Sequence, residues 1–190
     1  QVDRFVTRSY VNPYLELQII DGLSYTLNTF AEERSQFFGR FTSSNYGDGD
    51  PSTAQIQEQT STNYLLDNIL SYKKIFGAHG INATFVYGFQ KNEWQQMDAF
   101  SDKLGTDLLG YHAIDLSASE DQRFSWDTDE WGRAYLVGRV GYDYDDRYVV
   151  TLTMRRDGSS KYTGDNKYGY FPSYSVAWNA HNENFWSLEW

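Results

Sequence analysis

The chain has 190 residues, a formal net charge of −10, no cysteine and three prolines, yet it carries 16 Tyr, 12 Phe and 6 Trp. That composition excludes a disulfide framework and any thiolate metal site. It also argues against nucleic-acid binding, which needs clustered Lys and Arg, and against disorder, since disordered chains are poor in aromatics.

The mean hydropathy is −0.65, and the longest apolar run is Ala134-Tyr135-Leu136-Val137. No segment therefore approaches the ~20 apolar residues of a membrane-spanning helix. Gln1-Val2-Asp3-Arg4-Phe5 has no basic stretch followed by an apolar run, so it does not read as a signal peptide. Both ends read as cut from a longer chain.

Period-2 alternation, the mark of a strand with two unlike faces, recurs along the sequence, and helical periodicity does not. The first predicted strand, 4–19, leads through Asp21-Gly22 into a second at 23–33, where Leu23, Tyr25 and Leu27 alternate with Ser24, Thr26 and Asn28. Asp-Gly between alternating runs is a strong hairpin signal. A polar stretch, 34–60, reads as a long loop. Predicted strands 62–76 and 81–94 flank a tight turn at Gly77-Ala78-His79-Gly80. A second polar stretch, 95–130, reads as another long loop.

Residues 131–144 alternate most clearly. Ala134, Leu136, Gly138, Val140, Tyr142 and Tyr144 share one face, while Arg133, Tyr135, Val137, Arg139, Gly141 and Asp143 share the other. Asp145-Asp146 supplies a two-residue connection, because Asp tolerates the left-handed backbone that a tight hairpin requires. The strand 147–157 sets Tyr148, Val150, Leu152 and Met154 opposite Thr151, Thr153, Arg155 and Asp157. A last strand, 167–179, holds Tyr168, Tyr170, Tyr174, Val176 and Trp178 on one side, with Pro172 expected to mark a bulge or a local loss of pairing.

Seven antiparallel strands with short turns on one side and long loops on the other fit two architectures. A soluble β-sandwich or barrel would bury the apolar face, for instance as a carbohydrate-binding module. A transmembrane β-barrel would turn the apolar face to lipid and the polar face to a lumen.

Three features favour the membrane. The runs reach the 9–11 residues of a spanning strand, whereas soluble strands peak near 5–6. Tyrosines gather toward the strand ends, as interfacial girdles do. Leu136, Val140, Val150, Leu152 and Val176 form an aliphatic band between them. On this reading Leu136, Val140, Tyr142, Val150, Leu152, Met154 and Val176 face lipid. Arg133, Arg139, Thr151, Thr153 and Arg155 face the lumen, where the arginines would meet carboxylates of a plug. Seven strands do not close a single-chain barrel, which needs an even number and no open edge in lipid; the expectation is a stretch of a larger barrel.

The run Gly138-Arg139-Val140-Gly141-Tyr142-Asp143-Tyr144-Asp145-Asp146-Arg147-Tyr148-Val149-Val150-Thr151 is followed by Met154-Arg155-Arg156-Asp157-Gly158-Ser159-Ser160-Lys161-Tyr162 and then Tyr168-Gly169-Tyr170-Phe171-Pro172-Ser173. This series resembles the SusC/RagA family of TonB-linked outer-membrane proteins of the Bacteroidetes. Weaker matches run from Leu70 to Gly77, from His79 to Asn82, and over Asp21-Gly22-Leu23. The resemblance implies that residues 1–190 are part of a single barrel domain of about 22 strands, with the plug domain absent. It implies location in the Gram-negative outer membrane and TonB-driven import of a glycan or peptide. A SusD-like surface lipoprotein is the implied partner, and TonB would act through an N-terminal part that this sequence lacks.

No enzymatic arrangement emerges. His79, His112 and His181 are dispersed, with no adjacent nucleophile, and no carboxylate pair reads as a glycosidase dyad. No cofactor is expected. Asp143, Asp145 and Asp146, Asp48 and Asp50, and Asp127, Asp129 and Glu130 could hold Ca²⁺, but turn propensity and solvated loop charge explain them better. The candidates for substrate or partner contact are the loop aromatics Tyr46, Phe100, Tyr111 and Trp126, since function concentrates on loops. Trp94 and Trp131 are expected to be girdle anchors at strand ends.

Overall fold

The structure, a computed structural model, describes residues 1–44 and 50–186, apart from the side chain of Asp165. The described chain is an antiparallel sheet of eight strands: β1 (Val2–Val11), β2 (Tyr14–Ile20), β3 (Leu23–Thr42), β4 (Thr53–Phe76), β5 (His79–Ser101), β6 (Gln122–Tyr144), β7 (Tyr148–Ser159) and β8 (Tyr168–Trp178). The order across the sheet is β1-β3-β4-β5-β6-β7-β8, with β2 also paired to β3. Every connection is therefore a hairpin between sequence neighbours, except at the first strand.

The single strand expected over 4–19 is two strands. Their partner assignment along β3 nevertheless continues without offset, from Val11 opposite Ala31 to Tyr14 opposite Asn28. Asn12-Pro13 separates them. Proline has no N–H to give, but its carbonyl still accepts from Thr29 N at 3.1 Å.

The long loop expected at 34–60 is mostly strand, and the one expected at 95–130 is strand at both of its ends. β3 runs on to Thr42, β4 begins at Thr53, β5 reaches Ser101 and β6 begins at Gln122. Only 43–52 and 102–121 lie between these strands. Alternation hid the extensions because both faces of Glu32–Arg40 and of Gln122–Glu130 are rich in polar side chains, which leaves no period to read.

The turns hold the expected chemistry, with adjustments. Gly22 takes φ +81° between Ile20 and Leu23. Gly77 takes φ +61°, but His79 is the first residue of β5 rather than part of that turn. Asp145 and Asp146 take φ +52° and +54°, the type I′ conformation. Arg147 N–H donates to the Tyr144 carbonyl at 2.9 Å, and Tyr144 pairs with Tyr148. Arg147 is thus a third connecting residue rather than the first of a strand.

Pro172 makes no bulge: it pairs in register with Met154. Asn179 N–H donates to Arg147 O at 2.7 Å, and hydrogen-bonded pairs alternate with non-bonded ones along an antiparallel ladder. Counting from that bond places Met154–Pro172 at a non-bonded pair. The missing N–H therefore points to the open side of β8, where an edge strand tolerates it.

The chain forms two compact units. The first comprises Gln1–Val11, Ala31–Asn63 and Asn92–Glu130. Its core joins Ala54, Ala99, Leu104, Tyr111, Ala113 and Ile114, with Phe37, Phe41 and Ile56 packed against them. The second comprises Asn12–Phe30, Tyr64–Lys91 and Trp131–Trp190. None of the buried core residues belongs to it; its large apolar side chains lie on the sheet surface.

Candidate functional site

The second unit presents two chemically opposite faces, and the register of β6, β7 and β8 fixes which residue lies on which. Val140 pairs with Leu152 and Leu152 with Tyr174; Tyr142 pairs with Val150 and Val150 with Val176; Tyr144 pairs with Tyr148 and Tyr148 with Trp178. Opposite partners in a ladder share a face, so these rows build one apolar surface. Leu152 is 59% exposed and Val176 75% exposed. Val140, Tyr142, Val150 and Met154 are exposed as well, and Leu136 is half-buried. Nothing among the described residues of this unit encloses that surface as a soluble core would require.

The other face is polar and internally bonded. Tyr135, opposite Asp157 on β7, donates its hydroxyl to Asp67 of β4 across β5. Gly88 of β5 makes that crossing possible. A Cβ there would lie 2.1 Å from Tyr135 Cζ and 2.5 Å from Asp67 Oδ1, so the phenol ring occupies the space a side chain would fill.

Arg155 grips Asp157 with Nε and Nη2, both at 2.7 Å, and its guanidinium lies 4.7 Å from the Tyr135 ring centroid. Arg133 donates Nη2 to Gln90 Oε1 at 2.7 Å. Gly80 and Gly141 open two further gaps, filled by the carboxylate of Asp143 and the amide of Asn82. Of the predicted lumen residues, Arg133 and Arg155 belong to this network. Arg139 pairs with Thr153 in the same register and is exposed, and Thr151 is half-buried.

In the first unit, segment 102–121 is tied down rather than left free. Tyr111 donates its hydroxyl to Asp3 at 2.7 Å and lays its ring over Gly39, where a Cβ would come within 2.8 Å of it. Ser101 and Ser117 share a buried hydroxyl bond of 2.7 Å. Asp107 accepts from Ser43 at 2.8 Å and Ser44 at 3.2 Å. Hydrogen bonds from Ser52 and Ser43 hold its carboxyl below the usual carboxylate range. A groove of about 300 Å³ lies beside Thr60, Thr62, Trp94, Thr128 and Asp129.

The four aromatic contact candidates separate accordingly. Tyr111 is 5% exposed and part of the core. It is therefore a fastener of segment 102–121 and does not present a face to a ligand. Phe100 is a strand residue of β5, half-buried, with the Arg123 guanidinium 4.8 Å from its ring centroid. Trp126 is 62% exposed, but on β6 rather than in a loop. Tyr46 lies outside the described residues, as does Asp48. Trp94 and Trp131 stand inside β5 and β6, not at strand ends.

His79 is bonded through Nδ1 to the Tyr142 hydroxyl at 2.7 Å. Among the described residues, no three His, Asp or Glu side chains gather as a metal site. The sequence placed Tyr135 and Asp157 on the polar face without giving them a role, and it gave none to Asp67, Gly88 or Asp107. Gly88 inside an alternating run carried a signal, since glycine within a strand often marks a close approach.

No family model matches the chain. The TonB-dependent receptor P3 of Formosa agariphila is 36% identical over 177 residues, covering 92% of this chain and 18% of that protein. The TonB-dependent receptor SusC of Bacteroides thetaiotaomicron is 48% identical over 48 residues, 25% of this chain and 5% of that one. The chain thus spans less than a fifth of the curated relatives it matches. Among solved structures, the RagAB peptide transporter superposes with a TM-score of 0.87 over 99% of this chain and 21% of its own, at 16% identity. The ferric citrate transporter FecA gives 0.58 over 91% of this chain and 24% of its own, at 8% identity. These two likenesses are of fold.

Proposed function

Because this chain belongs to the SusC/RagA family of TonB-dependent receptors, we propose that it forms part of the wall of a nutrient importer in the Gram-negative outer membrane. The observation that carries this reading is the segregation of side chains on β6–β8. Leu152, Val140, Val176 and their ladder partners stand exposed on one face, while the Tyr135–Asp67 and Arg155–Asp157 contacts lie on the other. The apolar face meets lipid and the polar face lines the lumen. The turns at Gly77 and Asp145 are periplasmic, since short turns lie on that side. Segments 43–52 and 102–121 are extracellular.

The cargo is a glycan or a peptide, a SusD-like lipoprotein meets the outer segments, and TonB supplies energy through regions beyond this chain. Trp126, exposed on β6, is the aromatic best placed among the candidates to touch cargo or lipoprotein. The arginines of the polar face, Arg133 and Arg139 foremost, meet plug carboxylates. The chain carries out no catalysis; its role is to hold the pore and its loops.

The test places a charge on each face of the full-length receptor. Leu152→Arg costs about 2–4 kcal/mol of folding stability in lipid vesicles, the penalty for Arg or Lys on a barrel's lipid face near the midplane. Thr151→Arg is far milder. Reversible denaturant unfolding in vesicles measures both, and equal losses would overturn the assignment of faces.

A further inference from the structure

Arg156 places a cation within the apolar face of β6–β8. Arg156 follows Arg155 and so projects to the opposite side, in a row with Leu136 on β6 and Tyr170 on β7's other neighbour, β8. β7 is an interior strand, so both flanking strands on that face are present in the chain. Neither brings a carboxylate. The guanidinium instead lies 4.0 Å from the ring centroid of Tyr168 and 5.8 Å from that of Tyr170. Its Nε is shielded from solvent and finds no acceptor among the described residues.

Cation–π contacts hold a guanidinium in place but leave its N–H groups unspent, and Arg carries five. Tyr168 itself is seated by Gly158, where a Cβ would come within 2.7 Å of its ring. The arginine is thus pre-positioned on a surface otherwise made for lipid.

The surroundings extend the site in one direction. Gly138 pairs with Met154, one step down the same face from the Leu136–Arg156 row, about 7 Å along the strand. An added Cβ at Gly138 would meet nothing within 4 Å. The gap forms a groove of about 270 Å³ lined by Leu70, Phe85 and Val140. Moving from Arg156 toward the Asp145 turn, the face runs from cation to apolar trough. Arg156 stands eight residues from Tyr148, about 26 Å at strand rise. It therefore sits at the opposite end of the apolar band from the short turns.

We propose that Arg156, framed by Tyr168 and Tyr170, binds the phosphate of an outer-leaflet lipid whose acyl chain lies in the Gly138 groove. This inference rests on the lipid-facing assignment above. A phosphate accepts bidentate donation from a guanidinium, and a head group at Arg156 with its tail toward Gly138 has the orientation of an outer-leaflet lipid.

The experiment uses the full-length receptor in detergent, titrated with diphosphoryl lipid A or its dephosphorylated form and read by native mass spectrometry. The wild type retains the phosphorylated lipid. Arg156→Gln weakens that retention at least tenfold, Arg156→Lys less so, and the dephosphorylated lipid binds weakly to all. Gly138→Leu, in open space, also weakens retention and leaves folding intact. Equal retention by Arg156→Gln and wild type, or equal binding of the two lipids, overturns the proposal.

A parallel measurement separates the two readings. A fluorophore on Leu152→Cys is quenched by brominated lipid if that face meets the bilayer. Quenching together with an unaffected Arg156→Gln removes the lipid site alone; absence of quenching removes the facing assignment and the site with it.

Discussion

Gly88 shows how much a missing side chain can specify. The phenol of Tyr135 reaches Asp67 on the second strand over only by lying across the backbone of β5, and glycine leaves that path open. Gly88→Ala puts a methyl into the ring and displaces it, at about 1–3 kcal/mol, the usual penalty of overpacking. Tyr135→Ala removes the obstacle along with the bond. The two losses should therefore be less than additive, because the second methyl has nothing left to strike. A double-mutant cycle by unfolding in vesicles measures this, and strict additivity would mean that ring and glycine do not interact. The sequence shows Tyr135 on the polar face and Gly88 in an alternating run. It does not show that they meet, because the contact depends on the relative register of β4, β5 and β6.

At the scale of elements, legibility tracked the contrast between faces. Strands β7 and β8, and β6 from Trp131 to Tyr144, were readable to within a few residues because aliphatic and polar side chains alternate across them. The upper parts of β3 and β5 were not, since a strand polar on both sides has no period. Segment 102–121 was expected to be an open loop, and its aromatic Tyr111 to be a contact residue. Its buried core of Leu104, Tyr111, Ala113 and Ile114 has no periodicity that a linear reading could detect.

The anchoring of that segment has a pH signature. The Asp107 carboxyl is held below its ordinary value by serine hydroxyls. Ionised Asp107 therefore contributes anchoring that is complete above the unfolded carboxylate pKa of about 3.9. It is lost as pH falls through the lower folded value. Limited proteolysis of the detergent-solubilised receptor with an acid-active protease should leave 102–121 intact at pH 5 and expose it at pH 2–3. Asp107→Asn should flatten that change; a segment equally protected at both pH values would contradict the anchoring role.

At the scale of the molecule, the hydrophilic composition and the apolar surface are two aspects of one pattern. Alternation halves the apparent hydrophobicity of each strand, so a mean hydropathy of −0.65 coexists with a face carrying Val140, Leu152, Tyr174 and Val176 in the open. The sheet also ends in strands with one unpaired side: β1 and β2 at one edge, β8 at the other. Backbone groups left unpaired are costly in lipid and are templates for association in water. Pro172 blunts one position of the β8 edge by lacking an N–H there, as the ladder alternation requires.

The 190-residue chain expressed alone therefore has two reasons to associate: an unsatisfied backbone at both edges and an uncovered apolar face. In detergent-free buffer, analytical ultracentrifugation should find aggregates or large oligomers. A folded, monodisperse monomer would mean that the apolar face is enclosed in solution, and would restore the soluble-sheet reading that the exposure of Leu152 argues against.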